Sequence, residues 1–218
     1  MNLKLQGIHK RYGKTCILDA VNLELNTGEI VGLLGRNGSG KSTLLKILFG
    51  TLKATSGNIS IDKQPYPSYT KFAKKQIAYL PQQSMLPKNI RVRDVIPMFL
   101  ESGAAQDKIF YAEGVANFAN EYVYNLSLGE RKYLGVLLAC SLPHPIVLLD
   151  EPFSMADPLT IDRIKKLLNH TKKDKIVLIT DHYYHDVMEI SSRVMLLKDG
   201  NLREVSSTEM LRSQEYTR

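Results

Sequence analysis

The stretch Gly35-Arg36-Asn37-Gly38-Ser39-Gly40-Lys41-Ser42 decides the fold. Its glycines allow successive backbone N–H groups to turn toward one point and hold an anion there. A mostly apolar run, Glu29–Leu34, precedes the stretch, and a helical pattern over residues 41–50 follows it. A strand, a glycine-rich loop and a helix in this order are typical of a loop that binds the phosphates of a nucleotide. The alternative is a glycine-rich turn that binds no ligand.

The residue types in this loop suit a triphosphate and its magnesium ion. We expect the Lys41 ammonium to reach the β- and γ-phosphates and the Ser42 hydroxyl to bind Mg²⁺. The N-terminus of the following helix adds a partial positive charge. The expected nucleotide-binding residues of the loop are Gly35, Asn37, Gly38, Ser39, Gly40, Lys41, Ser42 and Thr43.

A second apolar run, residues 146–149, ends in two carboxylates, Asp150 and Glu151. Such a run is typical of a buried central strand, and ligands of open α/β sheets bind beyond the carboxyl ends of the strands. We expect Asp150 to hold Mg²⁺ and Glu151 to polarise the attacking water. Without the glycine-rich loop, the pair could equally end a strand at the surface.

The hydrophobic pattern predicts an α/β protein whose second half alternates strands with helices. Predicted strands cover residues 3–10, 15–25, 29–34, 57–61, 76–80, 145–149, 175–180, 193–198 and 201–205. Predicted helices cover residues 41–50, 92–101, 107–119, 129–141, 158–170, 183–190 and the C-terminus. The alternation indicates a parallel sheet, whereas the first quarter indicates antiparallel strands. We expect one domain, residues 1–218, with a helical middle of about 83–140.

Composition and charge limit the class of protein. The 218 residues are 44% hydrophobic and 23% charged, which is ordinary for a globular protein and argues against disorder or a coiled coil. The net charge of +7 favours anionic partners, or reflects nothing more than a basic surface. No apolar run is long enough for a transmembrane helix, and the N-terminus lacks a signal-peptide core. Cys16 and Cys140 form no metal-ligand pattern, so a reducing compartment is the default.

The segment Asn125-Leu126-Ser127-Leu128-Gly129-Glu130 carries a family resemblance. Together with the phosphate loop and Asp150-Glu151, it resembles the nucleotide-binding subunits of ATP-binding-cassette (ABC) transporters over essentially the whole chain. In that family the signature Leu-Ser-Gly-Gly-Gln closes the site of a partner subunit, which implies a role in trans for Ser127, Leu128, Gly129 and Glu130. Leu128 departs from the first glycine and Glu130 from the glutamine. The structural alternative is a capping box between Ser127 and Glu130.

Two polar residues at strand ends resemble family motifs that act on the γ-phosphate. Tyr79-Leu80-Pro81-Gln82 is similar to the Q-loop, which implies that Gln82 links Mg²⁺ and the attacking water to the helical subdomain; Gln83 is the rival. Thr180-Asp181-His182 is similar to the switch histidine segment, which implies a γ-phosphate contact for His182, with His185 as the less favoured candidate.

Two further residues match the family in position. Tyr12 lies between the first two strands, where members of the family carry an aromatic that stacks on adenine. Ser154-Met155-Ala156-Asp157 is an imperfect match to the D-loop. Asp157 followed by Pro158 is also typical of a helix N-cap and first helical residue, so this motif has a structural role as well.

The resemblance implies a P-loop NTPase core with an antiparallel β-subdomain and a short helical subdomain. It implies ATP hydrolysis at two composite sites of a head-to-tail dimer, with ATP and Mg²⁺ as cofactors. The implied catalytic residues are Glu151, His182, Gln82 and Lys41, and the implied magnesium ligands are Ser42, Gln82 and Asp150. The second subunit of the dimer can be an identical or a different ABC ATPase.

Transport is the leading expectation for what hydrolysis drives, with the chain on the cytoplasmic face of a membrane, bound to separate permease subunits. The alternative is a soluble ATPase of an assembly system, similar to the one that assembles iron–sulfur clusters. Only 45 positions separate Gln82 from Ser127, which is too short for the coiled coil of DNA-repair relatives. No nucleic-acid partner is expected, and too few residues follow His182 for a regulatory C-terminal domain.

An apolar segment after the Q-loop is the expected docking surface for the membrane subunits. It covers Gln83–Leu100 and contains Met85, Leu86, Ile90, Val95, Ile96, Met98 and Phe99. Exposed apolar patches mark interaction sites, and Arg91 and Arg93 could meet acidic groups beside it. The alternative is that these side chains pack inside the helical subdomain.

Overall fold

The computed structural model describes residues 1–66, 69, 76–83 and 85–213. The strands in these ranges are β1 (Asn2–Tyr12), β2 (Thr15–Asn26), β3 (Ile30–Leu34), β4 (Ser56–Ile61), β5 (Gln64–Pro65), β6 (Ile77–Leu80), β7 (Ile146–Asp150), β8 (Ile176–Thr180), β9 (Arg193–Lys198) and β10 (Asn201–Val205). The helices are α1 (Lys41–Phe49), α2 (Val92–Phe99), α3 (Gly103–Phe110), α4 (Leu128–Ser141), α5 (Pro158–Thr171), α6 (Tyr184–Ile190) and α7 (Thr208–Ser213).

The strands form two sheets of different kinds. The larger sheet has the order β10-β9-β3-β8-β7-β6; β10 is antiparallel to β9, and the other neighbours are parallel. The smaller sheet is antiparallel, with the order β2-β1-β4-β5. This confirms the predicted α/β fold with an antiparallel β-subdomain. Because β3, β6, β7 and β8 are parallel, their carboxyl ends meet at one edge of the larger sheet.

Successive side chains of the central strands point to opposite faces of the sheet. Both faces are buried, which explains the unbroken apolar runs in these strands. On β7, Val147 and Leu149 pack into the hydrophobic cluster that includes α4 and α5. Ile146 and Leu148 pack into the cluster that includes α1 and the antiparallel sheet. Both faces of the sheet are therefore covered, and every residue of β3, β7 and β8 is buried.

The structure corrects the predicted helix over residues 107–119. α3 begins earlier, at Gly103, because the Ser102 side chain accepts a hydrogen bond from the Ala105 N–H and caps the helix. It ends at Phe110, and Gly114 follows at φ +84°, in the left-handed region that interrupts a helix. A short 3₁₀ turn over Val115–Asn117 replaces the rest of the predicted helix.

The structure also corrects part of the expected docking surface. Val95 and Ile96 are fully buried, and Leu86 and Ile90 are half-buried against the same core cluster. The orientation of α2 explains this, since it turns Val92, Val95 and Ile96 toward the core. Met85, which precedes α2, and Met98 and Phe99, which end it, are exposed.

The two cysteines lie in different environments. Cys140 is buried in the core, and burial raises the pKa of its thiol to about 11, so it remains protonated and inert at neutral pH. Cys16 is exposed on β2.

Candidate active site

The glycine-rich loop lies between β3 and α1 and encloses the Lys41 ammonium. The Lys41 side chain is buried, and its Nζ donates to the backbone carbonyls of Gly35 at 2.6 Å and Arg36 at 3.2 Å. Gly38 (φ +81°) and Gly40 (φ +108°) adopt the left-handed conformation that favours glycine. Burial lowers the pKa of Lys41, while the carboxylates of Glu151, Asp150 and Asp181 oppose that effect.

The loop has the features of an anion site. The Ser39 hydroxyl is buried and has no hydrogen-bond partner among the described residues. A Cβ added to Gly35 would lie 2.4 Å from that hydroxyl oxygen and 2.7 Å from the Leu197 carbonyl oxygen, so only glycine fits there. Ser42 and Thr43 are half-buried in the first turn of α1. An unpartnered hydroxyl, a lysine and a helix N-terminus together suit a phosphate group.

Asp150 is the last residue of β7 and is held by hydrogen bonds from two neighbouring strands. The Thr180 hydroxyl of β8 donates to Asp150 Oδ1 at 2.6 Å, and the Tyr79 hydroxyl of β6 donates to Oδ2 at 3.4 Å. Burial and the nearby carboxylate raise the pKa of Tyr79, so its hydroxyl stays a donor. These two contacts fix the Asp150 carboxylate at the sheet edge that also carries the phosphate loop.

Two other predicted residues, Gln82 and His182, contact the Glu151 carboxylate. Gln82 Nε2 donates to Glu151 Oε2 at 2.8 Å, and His182 Nε2 lies 2.7 Å from Glu151 Oε1. Glu151 itself has φ +56°, a strained value for a residue other than glycine. Its backbone N–H donates to the Thr180 carbonyl at 2.8 Å, which pins the residue in this conformation.

The rivals for the Q-loop and switch positions lie elsewhere. Gln83 is exposed, and the structure gives the contact with Glu151 to Gln82. His185 is exposed and packs its ring against Tyr184, with the ring centroids 4.0 Å apart. The geometry therefore favours Gln82 and His182, the two residues preferred from the sequence.

Asp181 is a buried residue of the site that sequence reasoning did not single out. Its carboxylate accepts hydrogen bonds from the backbone N–H groups of Phe153 at 2.8 Å, His182 at 2.7 Å and Tyr183 at 3.1 Å. Burial raises the pKa of Asp181, and these three bonds oppose the rise. Asp181 thus holds the loops after β7 and β8 together, and its place between Thr180 and His182 at a strand end was the available signal.

Lys132 of α4 is a second residue that the sequence did not reveal. Its Nζ donates to the backbone carbonyl of Gln82 at 3.0 Å. Burial lowers the pKa of Lys132, and the carboxylates of Asp181, Glu151 and Asp150 oppose that effect. Nothing in the helical pattern distinguishes this lysine from a solvated one.

The signature segment has the geometry of a capped helix start. Ser127 is the N-cap of α4: its Oγ accepts from the Glu130 N–H at 3.1 Å, and its own N–H donates to Glu130 Oε2 at 2.9 Å. The capping box is therefore present. Leu128 is 58% exposed, whereas Gly129 is buried. A Cβ on Gly129 would lie 3.3 Å from the Met155 carbonyl oxygen, so the D-loop packs closely on the signature.

The remaining two predicted residues lie at the surface. Asp157 caps α5 by accepting from the Thr160 N–H at 3.0 Å and its hydroxyl at 2.7 Å, as the sequence predicts for an N-cap. Tyr12 is exposed at the end of β1, and the Lys10 ammonium lies 4.9 Å from its ring centroid. A cavity of about 400 Å³ lies beside the phosphate loop, lined by Cys16 and Ile17 of β2 and by the turn between β9 and β10.

The oxygen donors at the sheet edge fit a magnesium ion. Ser42 offers a hydroxyl, Asp150 a carboxylate and Gln82 an amide, and Mg²⁺ prefers a few protein oxygens combined with phosphate and water. Among the described residues, no group of three or more His, Cys, Asp or Glu side chains could hold a metal by itself.

In the part of the chain that the structure describes, no helix is both long and apolar enough to cross a membrane.

Comparison with known proteins identifies the family. The family model described as ABC transporter matches residues 18–154, which is more than half of the chain. The lipopolysaccharide export system ATP-binding protein LptB of Escherichia coli strain K12 is 30% identical, with 99% of this chain and 95% of that protein covered. A probable sulfate/thiosulfate import ATP-binding protein CysA of Chlorella vulgaris is 29% identical, with 97% and 93% covered.

The similar solved structures belong to the same family as these relatives. The dimeric structure of MJ0796, a bacterial ABC transporter cassette, is similar with a TM-score of 0.80 at 28% identity, covering 93% of this chain and 97% of that chain. A post-hydrolysis state of the same cassette, bound to ADP and Pi, gives a TM-score of 0.79. The chain therefore belongs to the ABC transporter family, and it is one of the ATP-binding subunits that hydrolyse ATP.

Proposed function

We propose that this chain is the motor subunit of a transporter, hydrolysing Mg-ATP at composite sites of a head-to-tail dimer to drive separate membrane subunits. The observation that supports it most directly is the Glu151 carboxylate, bonded to both Gln82 and His182 beside the phosphate loop. We place the subunit peripherally on the cytoplasmic face of a membrane. In this proposal residues 1–218 are one domain, and about 83–140 form its helical subdomain.

The phosphate loop binds the triphosphate in this proposal. The Lys41 ammonium contacts the β- and γ-phosphates, and Tyr12 stacks on adenine. Ser42, Gln82 and Asp150 hold the magnesium ion, which supplies neutralisation of charge on the phosphate oxygens when it is bound. The backbone and side chains that surround the phosphates belong to Gly35, Asn37, Gly38, Ser39, Gly40, Lys41, Ser42 and Thr43.

Glu151 acts as the general base for the attacking water. A carboxylate accepts a proton from water only if it is oriented toward the water, and both Glu151 oxygens are engaged by neighbours that fix the orientation. Gln82 comes from the end of β6 and His182 from the end of β8, on either side of β7. His182 additionally contacts the γ-phosphate in this proposal.

The signature segment completes the site of a partner subunit. Ser127 and Leu128 are exposed at the N-terminus of α4, and Met155 of the D-loop beside them is 69% exposed. A helix N-terminus carries a partial positive charge, which suits a γ-phosphate that approaches from another subunit. Ser127, Gly129 and Glu130 act there in trans, and Asp157 lies at the subunit boundary. The dimeric cassette to which the chain is similar supports this arrangement.

The proposal is tested by measuring phosphate release from ATP by the purified chain, with and without Mg²⁺, and by isolating it from detergent-solubilised membranes. We expect magnesium-dependent hydrolysis and membrane proteins that copurify with the chain. Hydrolysis without any membrane partner, in a protein found wholly in the soluble fraction with only cytosolic interactors, would support the alternative assembly ATPase.

Replacing Leu128 by glycine is expected to leave the ATPase rate equal or to raise it. Glycine at this position lets the backbone approach the phosphate more closely, because the leucine side chain projects into the exposed space at the helix start. The rate is compared with that of Leu159→Gly, an exposed leucine in the first turn of α5. A strong loss of activity in Leu128→Gly alone would show that packing of the Leu128 side chain stabilises the dimer.

Negative charge at Met85 and Met98 is expected to release the chain from membranes. Met85 is 80% exposed and Met98 62% exposed, so Met85→Glu with Met98→Glu adds two charges without opening the core. We expect the variant to move to the soluble fraction and to keep its basal ATPase rate. Met210→Glu, an exposed methionine on α7, is the matched control. Unchanged membrane association would place the docking surface elsewhere.

A further inference from the structure

We propose that Lys132 is a positioning residue that ties the signature helix α4 to the catalytic carboxylate of its own chain, through the backbone of Gln82. The inference rests on the proposed function, because it assigns the signature to the partner's ATP and Glu151 to the chain's own ATP. In a dimer, each Lys132 then connects the two composite sites within one subunit.

The hydrogen bond from Lys132 to Gln82 joins two parts of the fold that are far apart in sequence. Lys132 lies on α4, and Gln82 follows β6, 50 positions earlier. A half-buried ammonium is stable only where it has partners, and this one has the Gln82 carbonyl at 3.0 Å and the attraction of Asp150, Glu151 and Asp181. The partly buried Lys132 therefore reaches Gln82 while three carboxylates attract its ammonium.

Gln82 is held at both ends, which makes it a link. Its backbone carbonyl accepts from Lys132, and its side-chain Nε2 donates to Glu151 Oε2 at 2.8 Å. Glu151 Oε1 is in turn 2.7 Å from His182 Nε2. A continuous series of contacts therefore runs from α4 to His182, and a displacement of α4 by about 1 Å would stretch the first of them beyond hydrogen-bonding distance.

Close packing of α4 on β6 provides independent support. Gly135 lies three residues after Lys132, on the same side of the helix. A Cβ on Gly135 would lie 2.9 Å from Leu80 Cδ1, the last residue of β6, so the glycine allows the close approach. This contact brings α4 near enough for Lys132 to reach the segment that follows β6.

The position of Lys132 on α4 connects it with the signature. Ser127 caps the start of the same helix, five positions earlier, which corresponds to roughly 7.5 Å along the helix axis. A helix moves as a rigid unit over this distance. When Ser127 and Gly129 bind a partner's γ-phosphate, any displacement of α4 would therefore reach Gln82 through the Lys132 hydrogen bond, and Glu151 through Gln82.

The test compares Lys132→Met, which keeps the stem and removes the ammonium, with Lys132→Arg, which keeps a charged donor. We expect Lys132→Met to lower the kcat for ATP hydrolysis about tenfold or more, with the KM for ATP within about threefold of the wild type. Lys132→Arg should recover a substantial part of the rate. Lys173→Met, an exposed lysine after α5, is the control and should behave as the wild type.

A double-mutant cycle with Gln82→Ala identifies the route. If Lys132 acts through Gln82, the double variant is no slower than Gln82→Ala alone. Additive losses, an unchanged kcat in Lys132→Met, or equal losses in Met and Arg variants would overturn the inference. If Lys132→Met does not fold by its thermal melting curve, Lys132→Gln takes its place in the cycle. An inactive wild-type chain would instead contradict the proposed function.

Discussion

Glu151→Gln is expected to lower ATP turnover to about 1% of the wild-type rate or less and to leave ATP binding intact, because general-base catalysis contributes roughly 10²–10⁴-fold. The carboxylate can take a proton from water, whereas an amide cannot. The amide has the same size and can keep a contact with Gln82 or His182. Lys41 and the phosphate loop are unchanged by the substitution, so the nucleotide contacts remain.

Phosphate release and nucleotide binding are measured on the same preparation. ATP should also trap the variant as a dimer in size-exclusion chromatography, because the bound nucleotide is not consumed. Glu101→Gln, an exposed carboxylate between α2 and α3, is the control and should hydrolyse ATP normally. Wild-type turnover of Glu151→Gln at matched purity would show that Glu151 is not the base.

The central strands could be predicted from the sequence because they are buried on both faces. The predicted strands over residues 29–34, 145–149 and 175–180 differ from β3, β7 and β8 by at most one residue at each end. Helix ends with strong local signals were equally clear: the helix predicted over residues 41–50 matches α1, which ends at Phe49 because Gly50, at φ +85°, caps it. α3 was misplaced because its start depends on the single cap at Ser102 and its end on Gly114.

The polar residues of the site could be predicted only where they belong to a motif. Gln82, Glu151 and His182 each follow a strand, and the parallel order β8-β7-β6 brings them together. Lys132 belongs to no motif that points to this role, since its contact with Gln82 depends on how α4 packs on β6. Likewise, the burial of Val95 and Ile96 depends on the orientation of α2, which helical spacing alone does not give.

Lys41→Met is expected to weaken ATP binding by about 100-fold or more, since a hydrogen bond from a charged donor contributes about 1.5–3 kcal/mol and the proposed function gives Lys41 contacts with two phosphates. The electrostatic consequence is larger than the loss of one contact. Asp150, Glu151 and Asp181 all attract the Lys41 ammonium, and without it their negative charge faces the incoming triphosphate.

Methionine suits this test because it fills the buried volume of the lysine stem, so the fold should be retained. Binding is measured with a fluorescent ATP analogue in the presence of Mg²⁺. Lys46→Met is the matched control, because Lys46 is exposed on the same helix. The pair of variants should separate two steps: we expect Glu151→Gln to bind ATP without hydrolysing it, and Lys41→Met to fail at binding. Binding by Lys41→Met within twofold of the wild type would show that the backbone N–H groups of the loop hold the phosphates without the lysine.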